Sequence, residues 1–348
     1  MGRRFFVLAG VAAVSGCAER ERFSVALDPD IETGTQSLLV ATSRAADPAP
    51  IAYGPGRGEA LDFARLTISI PPTHRTRQIE WPEGAGVDPA QHFALVGAEP
   101  IAGVEALVAA ARQTAAGQDD EAVLFVHGYN TNFAEGVYRH AQIAWDYGLR
   151  GPQFHFAWPS AADPLGYVYD RNSTLIARDA LADLISRLVQ ERGLRLSVVG
   201  HSMGAFLVME ALRQIALRGD VRLDGLAGVT LISPDIDIDL FRAQAAVFDP
   251  LPQPFVIAVS RDDRLLRLSS LLARGETKLG SVDDLAQLEG LGIIVIDLSA
   301  LGETGNNHFL VGTSPSAIAL IRGLRDTNSV PIKNITLGPV RIVLGSAR

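Results

Sequence analysis

The sequence of 348 residues is poor in cysteine. Cys17 is the only one, so the chain cannot build a disulfide framework of its own. It also lacks a basic block, and its net charge of −8 argues against a nucleic-acid partner. No cluster of histidine and acidic residues has the spacing of metal ligands, and no G-x-G-x-x-G motif marks a dinucleotide site. The sequence therefore predicts neither a metal nor another cofactor.

The first residues have the pattern of an export signal. Gly2-Arg3-Arg4 is basic, residues 5–14 form a short apolar run, and small residues precede Cys17. The run is too short to span a membrane, which favours a signal peptide over residues 1–16. Its ending resembles a bacterial lipobox, which implies a lipidated Cys17. We therefore expect an exported lipoprotein of the bacterial cell envelope, facing the periplasm and held to a membrane by its lipid. An ordinary signal peptide with a chance cysteine is the alternative. Residues 17–36 are polar and are predicted as a tether.

Strands alternate with helical segments over most of residues 37–325, which are predicted as one domain. Continuous apolar runs, such as Ala122–Val126 and Leu226–Ile232, suit strands that are buried on both faces of a parallel sheet. Apolar residues at helical spacing over 173–191 indicate an amphipathic helix between such strands. The alternation predicts an α/β fold with a mainly parallel central sheet flanked by helices.

Several stretches are predicted as connections. Residues 45–59 are rich in proline and glycine and read as a loop. The aromatic stretch 163–172 is also predicted as a loop, which either lines an acyl pocket or simply packs. The proline-rich segment before the strand at 254–259 is a candidate cap over the site. Residues 326–348 are predicted as a C-terminal tail with a candidate strand at 340–344, whose position the sequence does not indicate.

One stretch has the pattern of a nucleophile elbow. The apolar run Leu196–Val199 has the length of a strand, Gly200-His-Ser-Met-Gly204 is a G-x-S-x-G turn, and Ala205–Leu212 has the composition of a buried helix. Glycines on either side of the serine remove Cβ atoms that would clash in so tight a turn. The pattern predicts Ser202 as a nucleophile and the Met203 N–H, at a helix N-terminus, as an oxyanion donor. A strand-to-helix turn with a capping serine is the structural alternative.

A nucleophilic serine needs a base that takes its proton. In elbow-type hydrolases the chain order is serine, acid, then histidine. Of the seven histidines, only His308 follows both Ser202 and a later strand, so it is the predicted base.

The acid is predicted at the end of the strand that precedes the histidine's strand. Asp262 and Asp263 are adjacent there, and only one of two neighbouring side chains can point into the site. Asp263 is the first candidate and Asp262 the alternative. Asp235 and Asp237, at the end of the strand before, are candidates of lower rank.

A second oxyanion donor is expected after another buried strand. The run Ala122–Val126 leads into His127-Gly128-Tyr129-Asn130. A His-Gly step at this place predicts the Tyr129 N–H as the donor, with Asn130 as the alternative. His127 is expected to have a structural role that holds the loop.

Together these motifs resemble a bacterial α/β-hydrolase family of formerly unknown function within the esterase and lipase superfamily. The resemblance covers about residues 37–325, favours Asp263 as the acid, and implies a serine hydrolase on an α/β-hydrolase fold without supplying a substrate. Arg77 departs from the family pattern, which has a glycine there. The segments that carry the resemblance are Ala41–Arg44, His74–Pro82, Phe125–Asn130, Phe156–Ser160, Gly200–Gly204, Ser233–Asp237 and Asp263-Arg264.

The sequence thus predicts a serine hydrolase of small-molecule carboxylic esters that works through an acyl-enzyme. Acyl transfer to an acceptor other than water is the alternative on the same triad. A non-catalytic envelope scaffold that retains the fold is the alternative of a different class.

Overall fold

The structure is a computed structural model that describes residues 22–26, 33–47, 53–82, 86–115, 121–260, 278–281, 288, 290–299, 336–337 and 340–344. Its strands are β1 (Gly34–Ala46), β2 (Tyr53–Ile70), β3 (Ala94–Ile101), β4 (Glu121–Val126), β5 (Gln153–Ala157), β6 (Arg195–His201), β7 (Leu226–Ile232), β8 (Phe255–Val259), β9 (Ile293–Asp297), β10 (Thr336–Leu337) and β11 (Val340–Leu344). Its α-helices are α1 (Val104–Ala115), α2 (Phe133–Asp146), α3 (Tyr167–Val189), α4 (Met203–Arg218) and α5 (Ile238–Ala245).

These strands form one sheet in the order β10-β11-β9-β8-β7-β6-β4-β5-β1-β2-β3. The seven central strands from β9 to β1 run parallel to one another. Antiparallel strands extend both edges, β2 and β3 beside β1, and β11 and β10 beside β9. The prediction of a mainly parallel sheet with helices is confirmed. The strand at 340–344, which the sequence left without a position, pairs with β9.

Helices cover both faces of this sheet. Leu39 and Ala41 of β1 belong to a large buried cluster that includes residues of α1, α3, α4 and α5. Leu38 and Val40 belong to a second cluster, which includes residues of α2. Because successive side chains of a strand point to opposite faces, α2 lies on one face and the other helices on the second. None of the helices in the described part of the chain is long and apolar enough to cross a membrane.

Two predicted loops differ from the structure. The strand β2 begins at Tyr53, inside the stretch 45–59, because glycines let it approach β1 past two irregularities in register. A Cβ at Gly58, for example, would lie 2.9 Å from the carbonyl oxygen of Arg44. The helix α3 begins at Tyr167, so only the first part of the stretch 163–172 is a loop.

The segment between β7 and β8, predicted only as a candidate cap, contains α5. Its first turn is capped by Asp237, whose Oδ1 accepts hydrogen bonds from the N–H groups of Asp239 and Leu240, each 3.0 Å long. The local sequence thus has the aspartate that favours a helix start.

Part of the predicted tether packs on the domain. The N–H of Leu95 in β3 donates to Ser24 O at 2.7 Å, and Phe23 packs edge-on against the rings of Phe133 and Tyr138. Residues 22–26 therefore belong to the folded body. Cys17 and the predicted signal peptide lie outside the described residues.

A histidine between two carboxylates links two segments at the amino edge of the parallel strands. His74, which follows β2, has Nδ1 2.9 Å from Glu80 Oε2 and Nε2 3.0 Å from Asp146 Oδ1 at the end of α2. Burial lowers the pKa of His74, but the two carboxylates outweigh it and raise the pKa overall. For the acid Asp146 burial has the opposite effect and raises the pKa, but hydrogen bonds from His74, the Arg77 N–H and Gln142 lower the pKa overall.

Candidate active site

Ser202 lies at a strained turn between β6 and α4. Its φ of 53° and ψ of −120° are unusual for a residue with a side chain. The turn is held by its backbone, since the Ser202 N–H donates to Ile232 O at 2.9 Å and Ser202 O accepts from the Ala205 N–H at 3.0 Å. This is the local geometry of a nucleophile elbow.

Glycines let three backbone segments meet at this turn. A Cβ at Gly200 would lie 2.7 Å from the Cα of Ala205. A Cβ at Gly204 would lie 2.5 Å from the carbonyl oxygen of Val126 and closer still to that of His127. A Cβ at Gly128 would lie 3.0 Å from the Cβ of Ser202. The end of β4 therefore packs directly against the elbow.

Two backbone N–H groups next to this junction are candidates for an oxyanion hole. The Met203 N–H is the first of α4 and has no acceptor within the helix. The Asn130 N–H donates to Asp170 Oδ2 at 3.1 Å, so it is already occupied. The Tyr129 N–H donates to no acceptor within the described part of the chain. Of the two predicted alternatives on this loop, Asn130 thus has its N–H engaged by a described side chain, whereas Tyr129 does not.

Asp170, in the first turn of α3, fastens this loop to the end of β5. Besides the Asn130 N–H, its carboxylate accepts from the Ser160 hydroxyl at 2.6 Å and from the Ala161 N–H at 2.5 Å. The Ser160 oxygen also accepts from the Thr131 N–H at 3.1 Å. Burial raises the pKa of Asp170, and these hydrogen bonds offset only part of that effect.

Arg44, at the end of β1, adds a second fastening to the same loops. Its side chain is buried, and its guanidinium donates to the carbonyl oxygens of Thr131 (2.7 Å), Ser160 (3.1 Å) and Gly54 (3.2 Å). A planar guanidinium with five donors can reach several acceptors from one position. No motif in the sequence pointed to Arg44, Ser160 or Asp170 for this role. A sequence pattern could have identified two of them, because Arg44 and Ser160 are polar residues that come after apolar runs and lie within the motifs of the resemblance.

His127 supports the loop, as expected from the sequence. Its ring stacks on Trp158 with centroids 4.9 Å apart, and the Trp158 Nε1–H donates to His127 O at 2.7 Å. The ring nitrogens lie 2.9 Å from Gly128 O and 3.1 Å from Trp158 O. Burial lowers the pKa of His127 to about 3, so the imidazole is neutral at physiological pH. A buried neutral ring in such contacts positions the backbone.

The predicted base His308 and the predicted acids Asp263 and Asp262 lie outside the described residues. The two acid candidates of lower rank, Asp235 and Asp237, are among the described residues. Asp235 is buried, its N–H donates to Ser202 O at 3.2 Å, and its Oδ1 lies 3.4 Å from Lys278 Nζ. Asp237 instead caps α5. Of these two, Asp235 is the one in contact with the elbow.

A comparison with protein families identifies the family of this chain. The model of the family described as alpha/beta hydrolase of unknown function (DUF900) matches residues 107–323, more than half of the chain. The chain belongs to this family. Membership confirms the resemblance and the fold predicted from the motifs. The matched range contains Ser202 and the predicted acid and base, and the family description names no substrate.

The solved structures that match this member of the family are distant from it. The dienelactone hydrolase from Anabaena variabilis is 14% identical with a TM-score of 0.35, and the match covers 80% of this chain and 96% of the other. Carboxyl esterase 2 from the fungus Tuber melanosporum is 13% identical with a TM-score of 0.36, covering 88% and 90%. At such identities, and with TM-scores below 0.5, these likenesses add nothing to the family assignment. No curated protein is significantly similar to the chain.

Proposed function

We propose that the protein is a serine hydrolase of small-molecule carboxylic esters that forms an acyl-enzyme on Ser202. The observation that carries the proposal is the strained elbow, in which the Met203 N–H directly follows Ser202, and Gly128, the residue before Tyr129, packs against the Ser202 Cβ. The N–H groups of Met203 and Tyr129 are the proposed pair of donors, which stabilises the oxyanion of a tetrahedral intermediate. Membership in an α/β-hydrolase family supports the same chemistry.

In the proposed mechanism the Ser202 oxygen attacks the ester carbonyl while His308 accepts the hydroxyl proton. Asp263, or Asp262 in its place, accepts a hydrogen bond from the imidazole and fixes its tautomer. The tetrahedral intermediate then expels the alcohol, which takes the proton from His308. Water attacks the acyl-enzyme with His308 again as base, and the acid leaves as Ser202 regains its proton.

A fluorophosphonate probe tests the nucleophile. The native protein should be labelled, and Ser202→Ala should abolish both labelling and hydrolysis of p-nitrophenyl esters, with a loss approaching a million-fold in a complete triad. Ser233→Ala is a matched control, because Ser233 is another buried serine with a positive φ, of 42°, at the end of the next strand. It should keep labelling and activity. Absence of labelling in folded native protein would refute the proposal and favour a scaffold.

Three aspartate variants test the acid. Asp263→Asn should lower kcat on the order of ten-thousandfold, as expected when the imidazole loses the carboxylate that orients it. Asp262→Asn should retain most activity. Asp235→Asn should lower stability through its contact with Lys278 without abolishing labelling of Ser202. A full loss in Asp262→Asn alone would transfer the role to that residue.

We also propose that the protein is an exported lipoprotein of the bacterial envelope, attached through Cys17. The pattern of residues 1–17 supports this location. Metabolic labelling with a radioactive fatty acid should mark the native protein and not a Cys17→Ser variant. Equal labelling of both would refute the lipid attachment.

A further inference from the structure

The turn between β5 and α3 exposes large apolar side chains. Leu165 is 92% exposed and Val168 is 72% exposed. Leu175 and Ile176, also exposed, follow on α3 seven and eight residues after Val168, a spacing that keeps them on one helix face. We call Leu165, Val168, Leu175 and Ile176 the apolar rim. Single exposed hydrophobic residues are ordinary on protein surfaces, but a group of them along one side of a turn and its helix marks a candidate interaction site.

The exposure of Leu165 is built into the turn. The Leu165 N–H donates to Asp163 Oδ1 at 2.8 Å, and the Gly166 N–H donates to Asp163 O at 2.9 Å. A Cβ at Gly166 would lie 2.9 Å from the Cβ of Ala161, so the turn is closely packed on its inner side. The backbone thus holds Leu165 outward in a defined position.

This turn borders the candidate active site. The Tyr129 hydroxyl donates to Pro164 O at 2.5 Å, and the Tyr129 and Tyr167 rings meet edge-on with centroids 5.6 Å apart. The backbone of Tyr129 carries the candidate oxyanion donor, and the preceding Gly128 contacts the Cβ of Ser202. One tyrosine side chain therefore separates the apolar rim from the loop that touches the nucleophile.

We propose that the apolar rim inserts among the acyl chains of lipid, so that the enzyme acts on lipid esters at a lipid–water interface. The proposal rests on the proposed ester hydrolysis at Ser202 and names its substrate class. An apolar surface beside the mouth of an esterase site suits a substrate with long hydrocarbon chains. The neighbouring tyrosines have the amphipathic rings that favour the boundary between hydrocarbon and water. Burial of one leucine side chain in hydrocarbon strengthens binding about tenfold to a hundredfold.

The test compares a rim variant with a matched control, in proteins that all carry Cys17→Ser so that no lipid anchor contributes. The rim variant is Leu165→Ser with Val168→Ser. The control is Leu217→Ser, because Leu217 is 56% exposed on α4 but about 21 Å along that helix from the elbow. Each is assayed on soluble p-nitrophenyl acetate and on an emulsion of trioctanoin. Binding to phosphatidylcholine vesicles is measured separately in a Ser202→Ala background.

The rim variant should hydrolyse p-nitrophenyl acetate within twofold of the parent but lose at least tenfold on the emulsion and in vesicle affinity. Leu217→Ser should match the parent in all assays. Unchanged emulsion activity and vesicle binding in the rim variant would overturn the interfacial proposal, as would a parent that cleaves soluble esters but binds no vesicles. A parent that binds vesicles through the rim and cleaves no ester would refute the ester hydrolysis and leave the lipid-binding surface intact.

Discussion

Replacement of Gly204 by alanine is expected to harm the elbow more than its single methyl group suggests. The added Cβ would lie 2.5 Å from the carbonyl oxygen of Val126 and closer to that of His127. An ordinary contact begins at 3.4 Å, so α4 and the end of β4 must separate by about 0.9 Å (3.4 minus 2.5) or more. Neither neighbour is a flexible side-chain tip, because both are backbone atoms. Overpacking of this kind costs about 1–3 kcal/mol of folding free energy.

The same displacement separates the two candidate oxyanion donors. Met203 lies next to Gly204 at the start of α4 and would move with it, whereas Tyr129 follows the end of β4, from which α4 must separate. A shift of about 1 Å in such a pair costs on the order of a hundredfold in rate. Gly204→Ala should therefore lower kcat for a soluble ester about a hundredfold while KM changes little.

Urea unfolding and steady-state kinetics of Gly204→Ala measure the two effects. Gly86→Ala is the control, because a Cβ there would meet no atom within 4 Å. It should leave the free energy of unfolding and kcat unchanged. A Gly204→Ala protein with native stability and native kcat would refute the close packing of β4 on the elbow. Lower stability with native kcat would refute the pairing of Met203 and Tyr129 as donors.

Three further predictions concern charged groups. His74→Gln should remove a pH-dependent part of the stability. In the native protein this part is present below the unfolded pKa of His74, about 6.5, and is lost as pH rises through the raised folded pKa. Urea unfolding from pH 5 to 9 measures it, and identical pH profiles of the variant and the native protein would contradict the effect. Asp170→Asn should cost about 2 kcal/mol in the free energy of unfolding and at least tenfold in kcat, because its amide would face N–H donors at Asn130 and Ala161; native kcat would show that the oxyanion loop needs no such support. Arg44→Lys should cost about 2 kcal/mol, because an ammonium cannot reach three separate carbonyl groups; a change below 0.5 kcal/mol would contradict this.

The parallel core was predictable because its strands are buried on both faces. In β4 all residues after Glu121 are buried, which leaves a continuous apolar run in the sequence. The elbow was predictable for a related reason, since its glycines satisfy local steric needs that only glycine meets. Both features depend on residues close together in the chain.

The edge of the sheet and the loop network were harder to predict from the sequence. The first half of β2 has alternating exposed residues with Pro55 and several glycines, and only its pairing with β1 makes it a strand. The network of Arg44, Ser160 and Asp170 joins three separate stretches of the chain, and its longest contact, Arg44 to Ser160, spans 116 positions. Its partners are mostly backbone groups, which leave no pattern of side chains in the sequence.

The order of the parallel strands bears directly on whether loops can complete a triad at Ser202. From β6 the strand β8 is two positions away and β9 three, about 10 and 14 Å at the usual strand spacing of about 4.8 Å. Asp263 follows Ser260, the residue after β8, by three residues, and three residues of extended chain reach about 10 Å. His308 follows the end of β9 by eleven residues, a much longer reach than the distance requires. Because all these strands run parallel, the chain leaves β8 and β9 at the same edge of the sheet as Ser202, where Asp170 and Arg44 fasten the loop after β4. The numbers of residues that follow β8 and β9 are therefore enough to bring an acid and a base to that edge.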